Sequence, residues 1–485
     1  MTGPVPELAD RAAACADRLR EADSVLLASH IDADGLTSAA IASTALARAG
    51  IDFEAVFKKQ LDAHEIATIA AADYDTVLFT DFGSGQLDDV VRHEERGDFT
   101  PVVADHHQPA DADTEFHLNP LLFGIDGASE LSGAGAAYVL ARALGASSSG
   151  AGSPTAAHPP TAAHPPNADL AALAVVGAVG DMQAADGALS GANEAIVREG
   201  VEAGVLGEAT DLALYGRQTR PLPKLLEYAD VPIPGIANSQ SGSVAFLSDL
   251  GLDLKEDGEW RTWASLDDEE RRTVVSALVR RAVTRGVPAH RIDGLVGTSY
   301  TLLDEPTGTE LRDASEFSTL LNATARYERA DVGLAVCLGN RDGALDRARD
   351  LLRNHRRNLS EGLRWVQNEG VTREEHVQWF DAGTRIRETI VGIVAGMAVG
   401  TDGVDRDVPI VAFAEKSDEE TKVSARGTHA LVRRGLDLSR AMSEASASVG
   451  GKGGGHDVAA GATIPAGSER AFVECVDRVV GQQLE

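Results

Sequence analysis

The sequence predicts an α/β protein in which a parallel-sheet domain comes first, a mainly helical region follows and a smaller α/β domain ends the chain. Three observations predict it. Apolar runs of strand length recur early in the chain with helix-compatible stretches between them. Those runs end in clusters rich in aspartate and histidine. A further pair of strand-like segments, Pro409–Ala414 and Thr421–Arg426, lies far downstream behind a long helical pattern. At 485 residues the chain is long enough for two or three domains with proper cores. The expected divisions are residues 1–205, 206–335 and 336–485.

Ser24–Ser29 is a short apolar run that reads as a buried parallel strand, and it leads into His30, Asp32 and Asp34. In extended chain, residues two apart point to one side, so all three can face a single site. Gly35 permits a tight turn, and a helix of mostly small residues opens at Leu36. Thr76–Thr80 repeats the plan with Asp81 at its end and Gly83 and Gly85 behind it. Thr100–Ala104 is a third strand, closed by Asp105, His106 and His107. A helix-like run from Ala168 to Val179 places Asp181 just past its end. In open α/β sheets functional groups collect outside the carboxyl ends of the strands, where three of these clusters fall.

Taken singly, each cluster has a plainer explanation. A lone Asp at a strand end is usually a turn or helix cap, and a lone His-His pair is usually surface polarity. Gly83-Ser84-Gly85 lacks the rest of a dinucleotide fingerprint. The joint pattern, with acids after successive strands and histidine attached to two of them, points instead to carboxylates and imidazoles gathered around two divalent cations.

HIDADG, the Asp of TDFGSG, ADHHQP and the Asp of AVGDMQ resemble, in that order, the four motifs of the DHH phosphoesterase superfamily. Gly450–Gly461 (GGKGGGHDVAAG) is similar to the glycine-rich signature of the DHH-associated C-terminal domain, so the resemblance covers most of the chain. Within the superfamily the pattern looks closest to RecJ-like single-strand exonucleases of the archaeal branch, where the first motif begins with His. Glu316–Asn322 also resembles that branch, too loosely to carry roles. The resemblance implies an active site in the cleft between the two domains. It implies that His30, Asp32 and Asp81 hold one metal ion, and that Asp34, Asp81, His106 and Asp181 hold a second, with Asp81 bridging. His107 would sit beside the scissile phosphate, and Asp105 would orient a histidine. Mixed carboxylate and imidazole donors suit Mn²⁺ better than Mg²⁺, with Co²⁺ a further alternative.

In the C-terminal part, Ser424 and Arg426 are two apart in a strand and can share a face. The Gly450–Gly455 stretch reads as a loop presenting bare backbone N–H groups to an anion. It is not a Walker A loop, because Gly453 follows Lys452 where Ser or Thr is required. With the resemblance, Ser424, Arg426, Lys452, Gly453, Gly454, Gly455 and His456 become a clamp on the terminal nucleotide.

Composition supports the class and complicates the partner. Three distant cysteines (Cys15, Cys337, Cys475) argue against a disulfide framework, and no run reaches transmembrane length, so a cytoplasmic protein is expected. Acids outnumber bases by 75 to 44, giving a net charge of −31, whereas nucleic-acid binders usually carry a basic face. The excess is spread throughout and resembles the surfaces of salt-in halophiles. In such salt, metal–phosphate bonds, close Arg contacts and base stacking would hold a strand rather than a long-range field. Arg217, Arg220, Lys224, Arg433 and Arg434 are further candidate positives. Residues 146–167 form a low-complexity insert carrying His158 and His164.

The middle of the chain is expected to hold a loop around Pro221–Gly235, a helix opening at Asp267 and an Arg-rich helix from about Asp342 to Asn368. Three functions follow. The first is a metal-dependent exonuclease on single-stranded DNA, and on RNA as an open alternative, in repair or replication. The second is a phosphodiesterase on short oligoribonucleotides or cyclic dinucleotides. The third is a non-enzymatic replisome scaffold, and binding to GINS or other replisome proteins belongs with the resemblance.

Overall fold

The computed structural model describes residues 3–146, 164–184, 187–229, 231 and 233–484. These form two compact units, Met1–Ala348 and Arg349–Glu485. The division falls inside the long helix Gly343–Glu369. Most of the 146–167 insert, including His158, lies outside the described residues, while His164 is exposed.

The first unit opens with a five-stranded parallel sheet. Its strands are β1 (Val25–His30), β2 (Phe53–Lys58), β3 (Thr76–Thr80), β4 (Thr100–Ala104) and the two-residue β5 (His117–Leu118). They lie in the order β2-β1-β3-β4-β5. The central strands are buried on both faces, which is why β1, β3 and β4 read as continuous apolar runs rather than alternating ones. Helices α1 (Ala9–Glu21), α2 (Ala33–Ala49), α3 (Ala63–Ala70), α4 (Leu87–Arg96), α5 (Gly133–Ala146) and α6 (Ala171–Gly180) surround the sheet. On one face Ile66 and Ile69 of α3 and Leu87 and Val90 of α4 pack with Leu26, Val77, Phe79 and Val103. Against the other lie α1, α2 and α5, with α6 packed on α2 and α5.

This strand order contains a switch point. The chain leaves β1 toward β2 on one side and leaves β3 toward β4 on the other, which opens a crevice at the carboxyl ends of β1 and β3. The crevice lies where His30 and Asp81 stand. Small residues on α2 and α5, such as Ala39, Ala40, Ala136 and Ala137, are buried and allow these helices to pack closely over it.

The middle of this unit is mainly helical, but it also holds an antiparallel pair, Leu206–Leu212 with Val296–Leu302. The segment expected as a loop around Pro221 contains a helix, Leu222–Glu227, because Pro221 and Pro223 suit a helix start and Leu222, Leu225 and Leu226 have a core to enter. The helix expected at Asp267 spans Asp268–Thr284, with Asp267 and Glu270 forming a capping box. Helices Ala314–Arg326 and Ala330–Cys337 then pack back on α2.

The second unit is built on a six-stranded mixed sheet. Its strands run in the spatial order Thr372–Arg373, Gln378–Asp381, Ile410–Glu415, Glu420–Arg426, Ala459–Pro465 and Lys452–Gly455. Helices Leu438–Ser448 and Glu469–Leu484 cover one face through Met442, Phe472 and Val476. Helix Val391–Ala398 covers the other through Val391, Val394 and Ala395. Among the described residues no helix is long and apolar enough to cross a membrane.

Candidate metal centre

β1 carries His30 to the mouth of the crevice, and the chain turns at once. Asp32 is the N-cap of α2 and accepts from the Gly35 N–H at 3.0 Å. Asp34 therefore lies in the first helical turn rather than in extended chain, as alternation had suggested. Its carboxylate is almost wholly buried, 1% exposed. It accepts from the backbone N–H groups of Gly133 at 2.7 Å and Ala134 at 3.0 Å, in the first turn of α5. The amino end of one helix thus steadies an acid on another.

Asp81 follows β3 with φ 60°, in the left-handed region, a conformation costing about 1 kcal/mol that Asp tolerates better than most residues. Its N–H continues the sheet by donating to the Ala104 carbonyl at 3.1 Å. The buried carboxylate divides its oxygens. Oδ2 lies 3.5 Å from His30 Nδ1, and Oδ1 lies 3.4 Å from His106 Nε2.

After β4, Asp105 is fully buried and its carboxylate accepts from the N–H groups of Ser84 (2.9 Å) and His106 (2.8 Å) and from His107 Nδ1 (2.8 Å). Burial acts to raise its pKa, but the hydrogen bond and charge of His107, with His106 and Ser84, hold it well below the usual carboxylate range. Its hydrogen bond in turn raises the pKa of His107, whose side chain is 55% exposed. His106 points inward. Its Nδ1 donates to the Gly127 carbonyl at 2.7 Å, which leaves Nε2 facing Asp81 Oδ1 and, at 3.8 Å each, Asp34 Oδ2 and Asp181 Oδ2. Asp181 caps the carboxyl end of α6.

The sequence-expected donors therefore converge. His30, Asp32 and Asp81 form one group and Asp34, His106 and Asp181 another, each with its donor atoms within 4.8 Å of one another. Burial works against a charged His30, but Asp32 and Asp81 outweigh it and push the imidazole up to about 11. Asp34 rises well above the carboxylate range through burial and the charges of Asp81 and Asp181. Asp32, although buried, is held down at about 2 by His30.

Like charges packed this closely call for a cation, and the site fits one. His106 Nε2 is buried with no hydrogen-bond partner. A Cβ on Gly133 would lie 2.4 Å from Asp81 Oδ1, and one on Gly177 would lie 2.4 Å from Asp34 Oδ1, so two bare backbones leave room for the acids. Oxygen and imidazole donors together suit a divalent transition metal.

The sequence reading gave no role to several supporting residues. Gln183 Nε2 donates both to Asp181 Oδ2 (2.9 Å) and to the Gly127 carbonyl (2.8 Å), and Asn193 Nδ2 donates to Gln183 Oε1 at 2.6 Å. Asn119 joins the Ser84 hydroxyl to the His107 carbonyl. Asn322 accepts from the Ala33 N–H at 3.1 Å and ties helix Ala314–Arg326 to the first motif.

In the second unit Ser424 and Arg426 do share a face. A Cβ on Gly392 would lie 2.9 Å from Ser424 Oγ and 2.6 Å from Arg426 Nη2. The glycine-rich stretch is corrected from loop to strand. Lys452–Gly455 is an edge strand antiparallel to Ala459–Pro465, with Gly453 opposite Ala462. A Cβ at Gly453 would lie 2.7 Å from the Met442 carbonyl and 2.8 Å from Ala462 Cβ, so close packing demands the glycine. Lys452 and His456 are exposed. Arg217 is not an available cation, being paired with Asp313 and with Asp211 at 3.6 Å, and Lys224 pairs with Glu227 at 2.7 Å.

Carboxylates and imidazoles at the switch point of a parallel sheet, with a histidine exposed beside them, define a site of the divalent-metal phosphoesterase class. Comparison with known proteins agrees. The DHH family N-terminal domain matches residues 24–177, the DHH-CID domain 214–296 and the DHHA1 domain 377–482. An uncharacterized protein of Methanocaldococcus jannaschii is 29% identical over 464 residues, 94% of this chain and 93% of that protein. RecJ of Thermus thermophilus, in complex with Mn²⁺, matches at a TM-score of 0.60 and 18% identity, and the match covers 99% of this chain but only 56% of that one. An exonuclease RecJ bound to manganese matches at 0.59 and 18%, covering 99% and 96%. CDC45 from Entamoeba histolytica matches at 0.62 and 10%, covering 98% of each. The chain belongs to the DHH phosphoesterase superfamily and is RecJ-like in its domain order.

Proposed function

We propose that this protein is a metal-dependent exonuclease that hydrolyses single-stranded DNA stepwise from an end, with RNA a second possible substrate, in repair or replication in the cytoplasm. The observation that carries the proposal is the divided carboxylate of Asp81, whose two oxygens face different imidazoles at 3.5 and 3.4 Å. His30, Asp32 and Asp81 would hold one ion, and Asp34, Asp81, His106 and Asp181 a second, with Mn²⁺ preferred for the mixed donors. Two such ions lower the pKa of a water and offset charge on attacking and leaving oxygens.

The chain supplies the rest. His107, exposed and kept basic by Asp105, would donate a hydrogen bond to a non-bridging oxygen of the scissile phosphate. Asp105 would position it. In the second unit Ser424, Arg426, Lys452, the backbone of Gly453–Gly455 and His456 would bind substrate phosphate, which favours removal from an end over cutting in the middle. The acid excess would suit strong salt, where contacts at short range do the holding.

The likeness to CDC45 supports a second reading, a replisome scaffold, with GINS as one kind of partner. The complete set of donors favours the enzyme. The test is Mn²⁺-dependent digestion, in molar KCl, of single-stranded DNA and RNA labelled at either end. Mononucleotides released from one end support the proposal. Cleavage of only short or cyclic substrates would move the site to smaller phosphodiesters, and no cleavage of either by the metal-loaded protein would favour the scaffold.

A further inference from the structure

Helix α6 runs into the segment that carries Asp181 and closes on an unexpected residue type. The Met182 N–H donates to the Val179 carbonyl at 3.2 Å and the Gln183 N–H to the Ala178 carbonyl at 3.0 Å. This paired closure holds one residue in the left-handed region, which is why glycine is the usual choice there. α2 and α4 close with the same two bonds and use Gly50 (φ 74°) and Gly97 (φ 77°). α6 uses Met182, at φ 61°. Seven non-glycine residues among those described have positive φ, and five of them are Asp or Asn, which tolerate it. A sixth, Glu328, pairs its side chain with Lys59. Met182 is instead 81% exposed, the most open large apolar side chain among the described residues.

One exposed apolar residue alone needs no explanation. This one sits in a backbone state that disfavours it, and it is too open for packing within the protein to hold it there. Its neighbours are the candidate metal centre. Asp181 is a donor, and Gln183 Nε2 holds that donor at 2.9 Å. The side chains of Asp34 and Asp81 are each 2% exposed and that of His106 7%, whereas Asp181 is 31% exposed. This group of donors therefore meets solvent at Asp181, and the Met182 Cα is only about 3.8 Å further along the chain. A thioether on an unbranched stem is polarizable and adapts to flat faces of different shape.

We infer that Met182 is a substrate-contacting residue whose side chain packs against the base of a nucleotide flanking the scissile phosphate. The left-handed turn lets Asp181 and Gln183 both serve the site while the residue between them stands in solvent at its edge. A methionine fits any base, so the contact serves a strand of any sequence. The inference rests on the nuclease reading for its choice of ligand, and binding is measured apart from cleavage so that the two can fail separately.

The test compares the full chain, loaded with Mn²⁺, with its Met182→Gly, Met182→Ala and Met182→Leu variants. Met182→Gly should raise Tm by about 1–2 °C, because glycine relieves the left-handed backbone. Mn²⁺ affinity should be the same in all four proteins. On single-stranded oligo(dT), kcat/KM should fall roughly three- to tenfold in the glycine and alanine variants, the range of one thioether–ring contact. Affinity for the phosphorothioate form of the strand should fall alike, and Met182→Leu should keep most of both. A strand of abasic nucleotides, with no base to contact, should bind all four proteins equally. Glycine and alanine variants that match wild type on oligo(dT) overturn the inference. So does an equal loss on the abasic strand, a loss of Mn²⁺ affinity, or a lower Tm for Met182→Gly, which would show the side chain packed on the protein. A wild type that neither binds nor cleaves oligo(dT) removes the inference together with the nuclease reading. Binding of the phosphorothioate strand that depends on Met182, without cleavage of the natural one, removes the nuclease reading and keeps the contact.

Discussion

His106 donates its Nδ1 proton to the Gly127 carbonyl at 2.7 Å, and this one bond decides which ring nitrogen faces the acids. The approach is close enough that a Cβ on Gly127 would lie 2.1 Å from the His106 carbonyl oxygen. With Nδ1 committed, Nε2 is the nitrogen left for a cation.

Gln183 shares that carbonyl and also holds Asp181. Gln183→Ala should leave the fold intact and lower Mn²⁺ affinity about 10- to 100-fold, the usual cost of losing a group behind a metal ligand. Calorimetric titration checks this, and an unchanged affinity would show that Gln183 has no part in holding the donors.

Asp81→Asn is expected to fold, because Asn also tolerates the left-handed backbone found at φ 60°. It should lose at least about a hundredfold in hydrolysis, since the shared anionic donor is gone. Retention of more than a few per cent of activity would sink the assignment of Asp81 to both ions.

The metal-free protein should show a particular pH response. His30 and His106 are both pushed up to about 11, above the ordinary 6.5, by surrounding carboxylates that outweigh burial. Their attraction to the acids stabilises the fold fully below pH 6.5 and is lost as pH rises toward 11. A cation competes with the same protons, so its affinity should rise over that window and its binding at neutral pH should release protons. Titrations in buffers of different ionisation enthalpy measure the release. Binding without proton release would contradict the protonated histidines.

Asp105→Asn should leave Mn²⁺ affinity nearly unchanged but reduce kcat. The Asp105 hydrogen bond raises the His107 pKa, so removing its charge should move the alkaline limb of the rate profile to lower pH. A profile that only scales down, with its limbs in place, would mean that Asp105 supports the loop and not the basicity of His107.

His456→Ala, in the second unit, should raise KM for single-stranded substrate while leaving the Mn²⁺ requirement alone. Unchanged KM and kcat would remove His456 from the phosphate-binding groups.

Much of the centre was legible in the sequence because each donor is attached to a local signal. An apolar strand ends, an acid or histidine follows, and a parallel sheet lines such ends up. The same local reasoning misjudged Asp34, since alternation in extended chain ignores that Asp32 caps a helix starting at Ala33. It took the Lys452–Gly455 glycines for a loop, when they form an edge strand in which close approach to Met442 and Ala462 requires a glycine at 453.

By itself the sequence determined which side chains can meet a cation and the order in which the strands present them. The tertiary structure decided which oxygen of Asp81 faces which imidazole, which nitrogen of His106 stays open, and where Gln183 and Asn322 brace the motifs. Those outcomes depend on hydrogen bonds between residues as far apart as Ala33 and Asn322, and on glycines whose missing side chains let backbones meet. Periodicity reports what a residue does within its own element, and contacts between elements are set by how those elements pack.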